Sequence, residues 1–147
     1  ASLVRADRIY DSPCDIFSPC ALGSVLNDKT IPRLKCRIVV GAANNQLEEL
    51  RHADMLAERG ILYGPDYIAN AGGVINLSFE VTGYDAEAAR LKTAQTYTTM
   101  EQVIALAKEG GISTARAAGR TITPSSSESQ SHGMVSLFSL MMPSLLP

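Results

Sequence analysis

Residues 65–76, Pro-Asp-Tyr-Ile-Ala-Asn-Ala-Gly-Gly-Val-Ile-Asn, combine polar groups that can bind a ligand with small residues that let it approach the backbone. Asn70 suits a helix N-cap, since its side-chain oxygen can accept a hydrogen bond from a helix N–H. Gly72 and Gly73 carry no Cβ, so a ligand or a second backbone segment can come close. The stretch follows the apolar run at residues 61–63, as in a βα junction where ligands of α/β proteins bind. Taken alone, it also fits a plain loop that starts a helix and packs through its glycines.

Two further clusters of small and polar residues follow apolar runs upstream. Ser-Pro-Cys-Ala at residues 18–21 follows the run at residues 14–17, and the cluster at residues 41–46 follows the run at residues 37–40. The carboxyl ends of parallel strands meet at one edge of a sheet. We therefore expect the three clusters to line one crevice, although three unrelated loops would show the same pattern.

The runs that precede these clusters are short and rich in β-branched residues, so we predict strands at residues 14–17, 37–40 and 61–63. Helical patterns follow at residues 47–59, 86–109 and from 113 to 120. This alternation predicts an α/β protein with a parallel sheet and C-terminal helices. We also expect a strand remnant at residues 2–4, a turn or a single helical turn at residues 7–10, and a short helical turn at residues 21–26.

The longest predicted helix, at residues 86–109, carries an apolar stripe at three- and four-residue steps. Its members are Leu91, Ala94, Tyr97, Met100, Ile104 and Ala107. The stripe indicates packing against the core or against another subunit.

Composition narrows the kinds of partner. The chain has 147 residues, enough for one domain, and its formal net charge of −2 disfavours nucleic acid and anionic membranes as partners.

Its three cysteines, Cys14, Cys20 and Cys36, form no Cys-x-x-Cys motif, which favours free thiols in a reducing compartment and a cytoplasmic location. His52 and His132 lie far apart in the sequence, so we predict no metal site. The first residues lack the long apolar core of a secretory signal.

The character of the sequence changes near its end. Residues 123–131 are rich in serine, and residues 134–147 are apolar but interrupted by Pro143. The apolar part is too short to span a membrane as a helix. We divide the chain into a folded part, residues 1–121, and a low-complexity and apolar tail, residues 122–147.

Three motifs together resemble the amino-acid dehydrogenases of the glutamate/leucine/phenylalanine/valine family, and most closely its leucine-specific members. They are Cys-Asp-Ile-Phe-Ser-Pro-Cys-Ala-Leu-Gly at residues 14–23, Gly-Ala-Ala-Asn-Asn-Gln-Leu at 41–47, and Tyr-Gly-Pro-Asp-Tyr-Ile-Ala-Asn-Ala-Gly-Gly-Val-Ile-Asn at 63–76. The resemblance extends to about Arg120. It implies that residues 1–121 are part of a dinucleotide-binding domain, a partial Rossmann-like sheet with helices on both faces.

The resemblance implies NAD-dependent oxidative deamination of an L-amino acid, leucine or a similar aliphatic one, to its 2-oxo acid and ammonium. It also implies a homo-oligomer when the protein is full-length. The implied cofactor-binding residues are Cys20, Ala21, Asn45, Asn70, Gly72 and Gly73, and the implied substrate-binding residues are Asn45, Val74 and Leu77. Asn76 matches the leucine-specific members, since phenylalanine and valine enzymes often carry glutamine there.

Other family features are absent from this sequence. The family's catalytic lysine and aspartate belong to an N-terminal domain with no counterpart here, and no Gly-x-Gly-x-x-Gly occurs. We therefore assign no catalytic residue, and we expect a fragment that alone neither turns over substrate nor binds NAD tightly. The strand at residues 14–17 should then form an exposed, apolar sheet edge. The alternative to an enzyme fragment is a non-catalytic binding or assembly module derived from the family. A shifted reading frame in the coding sequence would explain the unusual tail at residues 122–147.

Overall fold

The computed structural model describes residues 2–122. Three short strands alternate with helical segments in the first half of the chain, and further helices follow the last strand. The strands are β1 (Ile16–Phe17), β2 (Ile38–Val39) and β3 (Leu62–Tyr63). The α-helices are α1 (Arg51–Glu58), α2 (Asp66–Ala69), α3 (Ala71–Thr82), α4 (Ala86–Gly110) and α5 (Thr114–Ile122), and 3-10 helices span Ala6–Asp11 and Ile31–Arg33.

The strands form one parallel sheet in the order β1-β2-β3. Ile16 pairs with Ile38 and Ile38 with Leu62, which places these three residues in one row across the sheet. The predicted α/β fold with a parallel sheet and C-terminal helices is confirmed.

The two faces of the sheet differ in burial. Val39 and Tyr63 are buried and Phe17 is half-buried, because α1, α5 and the chain between β1 and β2 pack against this face. On the opposite face Ile16 is 54% exposed and Leu62 36% exposed. Side chains alternate between the faces of a strand, so the register puts a continuous core on one side only.

That core draws on the strands, both 3-10 helices, α1 and α5. Leu26, Ile31 and Leu56 are fully buried in it, and Ala115 brings α5 to the same cluster. Burying one such leucine or isoleucine side chain contributes about 1.5 to 3 kcal/mol, so this cluster carries much of the fold's stability.

A second cluster joins α2, α4 and α5. Its buried members are Ile68, Val103, Ala107, Ala117 and Ala118. The apolar stripe predicted on α4 contributes only in its second half, where Met100, Ile104 and Ala107 are at least partly buried. In the first half Leu91 and Tyr97 are 55% and 69% exposed. Core packing therefore explains only part of the stripe.

Glycines end the two principal helices, as predicted. Gly60 follows α1 with a φ of 70°, and the next N–H, of Ile61, donates to Leu56 O at 2.9 Å. Gly111 follows α4 with a φ of 58°. A left-handed residue at this position lets the chain turn back onto the last carbonyls, and glycine adopts it without steric cost.

Three local predictions are wrong. Residues 2–4 form no strand. Residues 21–26 form no helical turn, because Ser24 has a φ of 55° and Leu26 bridges to Leu47 as in a parallel ladder. The helix predicted from residue 47 begins only at Arg51, since that bridge holds Leu47 extended. The single helical turn predicted near residues 7–10 is present as the 3-10 helix Ala6–Asp11. The predicted tail, except Ile122 in α5, lies outside the described residues.

None of the helices within residues 2–122 has the length and apolar character needed to cross a lipid bilayer.

Asp54 joins α1 to the chain around α5. Its carboxylate accepts hydrogen bonds from Arg116 Nε at 2.8 Å, Arg116 Nη2 at 2.6 Å and Ser113 Oγ at 2.7 Å. The hydrogen bonds from Arg116, and to a smaller extent that from Ser113, hold the pKa of the Asp54 carboxyl below its ordinary value. The pair is a fork of two nearly parallel bonds, the geometry that favours arginine over lysine.

We expect acid to weaken the attachment of α5 to α1. A carboxyl whose pKa is lowered by folding contributes stability above its unfolded pKa of about 3.9 and loses it as the pH falls through the lower folded pKa. Asp54→Asn should cost about 1 kcal/mol at neutral pH, since the pair is partly exposed. It should also flatten the dependence of stability on pH below about 4, as measured by urea unfolding across that range. Asp15→Asn, at an exposed carboxylate, is the matched control, and equal flattening in both variants would contradict the assignment.

Candidate functional site

The chain segments that follow the three strands meet at the carboxyl edge of the sheet. We call them the first segment (residues 18–26), the second segment (residues 40–46) and the third segment (residues 64–70). The first two contain whole clusters singled out in the sequence, and the third contains the first half of residues 65–76. Backbone and side-chain contacts hold the three segments side by side.

Gly41 brings the first and second segments into direct contact. A Cβ at this position would lie 2.1 Å from Pro19 O and 2.6 Å from Pro19 N, far inside van der Waals contact. Two residues later, the Ala43 N–H donates to Pro19 O at 3.0 Å. The two backbones approach this closely only because position 41 has no side chain.

The same two segments pair again further along. The Ser24 N–H donates to Asn45 O at 2.6 Å and the Leu26 N–H donates to Gln46 O at 2.9 Å. Asn45 has a φ of 52°, in the left-handed region that asparagine tolerates better than most residues. Its side chain is exposed at the edge of the sheet.

Gln46 is fully buried and holds the second segment in shape. Its side-chain nitrogen donates to Gly41 O at 2.7 Å and to Ala43 O at 2.9 Å, and its backbone N–H donates to Asp66 Oδ2 at 3.1 Å. The side-chain oxygen is buried with no hydrogen-bond partner among the described residues. One glutamine therefore closes the second segment on itself and ties it to the third.

Asn70 completes the link between the second and third segments. Its side-chain nitrogen donates to Asn44 Oδ1 at 2.5 Å and approaches Ala42 O at 3.4 Å. Asn70 lies at the N-cap position of α3, but its side chain caps no helix N–H. The predicted capping bond is thus wrong, because the amide is turned towards the second segment instead. Asn44, which the sequence analysis did not single out, is its partner.

Several of the predicted site residues share one exposed face of α3. Gly73, Val74 and Leu77 recur at the spacing of one helix face, and Asn70 precedes them at the same spacing. A Cβ at Gly73 would meet nothing within 4 Å, and Val74 and Leu77 are 43% and 60% exposed. This face is open to a ligand or to another part of a longer protein.

Gly72 does not belong to that face. A Cβ built there would lie 3.3 Å from Thr93 Cγ2 of α4, so the residue lets α3 and α4 pack closely. The two neighbouring glycines thus meet different surroundings. The prediction that Gly72 contacts a cofactor stays untested, but its surroundings favour helix packing.

Cys20 and Ala21 are both exposed in the first segment. A hydrogen bond from the Ala42 backbone lowers the pKa of the Cys20 thiol, and the Ser18 hydroxyl, 3.4 Å from Cys20 Sγ, adds to the effect. The thiol is therefore held against the second segment at the sheet edge. Asn76, on α3, accepts a hydrogen bond from the Tyr84 hydroxyl at 2.9 Å.

One cleft lies away from this edge, and residues 2–122 contain no candidate metal site. A cleft of about 640 Å³ opens between α1, β3, α4 and α5, but it shares no residue with the predicted site. Within residues 2–122, no group of three His, Cys, Asp or Glu side chains is placed to hold a metal ion.

The open parallel sheet defines an α/β protein, and small and amide residues gather at its carboxyl edge, where open α/β sheets commonly bind ligands. Comparison with known proteins identifies the group more narrowly. The model of the Glutamate/Leucine/Phenylalanine/Valine dehydrogenase family matches residues 1–137. The chain belongs to this family of oxidoreductases, as its three motifs predict.

The similar curated proteins are amino-acid dehydrogenases. The chain is 53% identical over 120 residues to leucine dehydrogenase of Thermoactinomyces intermedius, an alignment covering 82% of this chain and 33% of that protein. It is 50% identical over 119 residues to phenylalanine dehydrogenase of Lysinibacillus sphaericus, covering 81% and 31%. The chain thus spans about a third of the length of these relatives.

A solved structure supports the fold. The crystal structure of L-tryptophan dehydrogenase from Nostoc punctiforme superimposes with a TM-score of 0.79 at 50% identity, covering 82% of this chain and 37% of that one. Three similar proteins are therefore named for three different amino acids. Similarity over this segment does not distinguish among leucine, phenylalanine and tryptophan.

Proposed function

We propose that this chain forms one wall of the cofactor and substrate site of an NAD-dependent amino-acid dehydrogenase, with leucine or a similar aliphatic amino acid as substrate. The observation that carries the proposal is the meeting of three segments at one sheet edge, joined through Gly41, Gln46 and Asn70. The names of the similar proteins support the reaction class.

The exposed groups at this edge suit one side of a dinucleotide. The exposed Asn45 and the half-buried Asn70 present amides, and Gly73 presents an uncovered backbone; these groups can bind the polar substituents of a flat ring. Cys20 and Ala21, in the neighbouring first segment, would border the ribose and adenosine side. No Gly-x-Gly-x-x-Gly occurs in this sequence, so we assign none of these residues to the pyrophosphate. Bound NAD would accept the hydride, whereas these residues orient it and limit access of water.

The substrate side chain would lie against the exposed face of α3. Val74 and Leu77 place two aliphatic side chains there, and Asn45 would reach the polar groups of the substrate. Aliphatic walls select a side chain by shape, and one methylene changes binding by about 1 to 3 kcal/mol. Such a pocket suits a branched aliphatic chain, in agreement with the choice of leucine.

The proposal extends to cell location and assembly. The described residues contain three free cysteines, which suits a reducing compartment such as the cytoplasm. The exposed Leu91 and Tyr97 of α4 suit burial by another part of a longer protein or by another subunit of a homo-oligomer. Neither nucleic acid nor a membrane is among the proposed partners.

A chimera tests the function directly. The 120 residues that align with leucine dehydrogenase from Thermoactinomyces intermedius would replace their counterparts in that enzyme. Formation of reduced NAD would then be followed with leucine, phenylalanine and tryptophan. We expect activity, and the highest kcat/KM with leucine. A folded chimera that is inactive with all three would contradict the enzymatic proposal and favour a non-catalytic module.

In the same chimera, we expect Asn70→Ala to lower kcat/KM by about fivefold or more, since loss of one positioning hydrogen bond costs about 1 kcal/mol or more. The bond to Asn44 holds the second and third segments in register, and its loss would misplace both. Gln95→Ala, at an exposed position of α4, is the matched control and should leave kcat/KM unchanged. Equal effects of the two substitutions would count against a role for Asn70.

A further inference from the structure

Two cysteines lie opposite each other at the amino end of the sheet, away from the candidate site. Pro13 pairs with Lys35, and Ile16 pairs with Ile38 at the same offset along the chain. Cys14 therefore falls opposite Cys36. Neighbouring strands run about 4.8 Å apart, within the range of Cα separations, about 4.4 to 6.8 Å, that disulfides span.

The surroundings of the two thiols differ. Cys14 is exposed and Cys36 is buried. Burial raises the pKa of the Cys36 thiol, and the neighbouring Cys14 raises it further. The two sulfurs are thus close enough to influence each other electrostatically. One thiol is accessible to an oxidant, and the other is buried beside it.

We propose that Cys14 and Cys36 form a reversible disulfide that fastens the edge strand β1 to the central strand β2 under oxidising conditions. Both thiols are free in the structure, which represents the reduced form. Nothing in the proposed dehydrogenase reaction uses either residue. The link would close a loop that contains the first segment while leaving the second and third segments outside it.

A low-molecular-weight disulfide such as oxidised glutathione would supply the oxidising equivalents. The Cys14 thiolate attacks one sulfur of the reagent, forms a mixed disulfide and releases one glutathione thiolate. The Cys36 thiolate then attacks the Cys14 sulfur and releases the second glutathione thiolate. The two protons lost from the cysteines are taken up by the two released thiolates, so the chain is oxidised by two electrons and the reagent is reduced by two.

The test uses the 147-residue chain carrying Cys20→Ser, which removes the other exposed thiol. After incubation with oxidised glutathione we expect the chain to lose both remaining thiols and about 2 Da of mass without attached glutathione, and to regain them with a reducing agent. Cys20→Ala serves the same purpose if serine disturbs the first segment. The apparent Tm should rise on oxidation, because the link restricts the unfolded chain.

Two matched variants separate the outcomes. With Cys36→Ser added, Cys14 should stop at the mixed disulfide with glutathione. With Cys14→Ser added, Cys36 should keep its thiol, because it is buried. The proposal is overturned if the Cys20→Ser chain stops at a glutathione adduct on Cys14, or if oxidation yields only dimers linked between chains.

Discussion

Gly41→Ala should destabilise the chain by about 3 kcal/mol, because overpacking typically costs about 1 to 3 kcal/mol and here the backbone itself must move. The added methyl would lie 2.1 Å from Pro19 O and 2.7 Å from Pro19 C. Both contacts are with backbone, so no side-chain rotation can relieve them. The first and second segments would have to separate, with loss of the bond from the Ala43 N–H to Pro19 O. Urea unfolding followed by circular dichroism measures the loss.

Gly73→Ala is the matched control, because it adds the same methyl at the same sheet edge. A Cβ there meets nothing within 4 Å, and alanine in a helix is favoured over glycine by about 0.5 to 1 kcal/mol. We therefore expect a small gain in stability at position 73. If the two variants were destabilised equally, the steric argument for Gly41 would be wrong.

Gln46→Leu should cost about 2 to 4 kcal/mol, because leucine leaves the buried carbonyls of Gly41 and Ala43 without the donor they share. The side chain of Gln46 is fully buried, so water cannot readily replace the lost bonds. The second segment should loosen, and its amide protons should exchange faster with solvent. Hydrogen exchange and urea unfolding measure the two effects.

The control for this change is Gln102→Leu, at an exposed position of α4. Exposed substitutions of this kind usually change stability by less than about 0.5 kcal/mol. Unaltered exchange in the second segment of the Gln46→Leu variant would show that its shape does not depend on that side chain.

The sheet was predictable because its strands are marked locally. The run at residues 37–40 is continuous and β-branched, and β2 lies within it at Ile38–Val39. The same holds for β1 and β3, although each observed strand is shorter than its predicted run. The residue at which a strand ends depends on which residues of the neighbouring strand can pair with it. The local sequence pattern does not specify this.

Features set by distant partners could not be predicted. Leu26 and Leu47 bridge across 21 positions of sequence, and this contact replaced a predicted helical turn and delayed the start of α1. On α4, the three- and four-residue spacing was correct, but burial depends on what packs against each turn. Leu91 is therefore exposed, although it belongs to the same predicted apolar stripe as the buried Ala107.

The location of the candidate site could be predicted from the sequence, but the contacts of its side chains could not. Clusters at strand ends had to meet because the strands are parallel, and they do. The direction of each side chain was beyond a sequence argument. Gly72 faces α4 while Gly73 faces open space, and Asn70 bonds to Asn44 instead of capping its helix. The ligand-binding roles proposed for these residues stay predictions.

The links between the segments have a consequence for how this protein can diverge. Gly41, Gln46 and Asn70 each contact a segment other than their own, so replacing one of them alters the environment of another. Paired substitutions among the three should therefore be non-additive in a double-mutant cycle. Val74 and Leu77 project from α3 without such ties and tolerate exchange at little thermodynamic cost. Under the substrate-binding role proposed for these two positions, substrate preference would change through them while the scaffold beneath them stays constant.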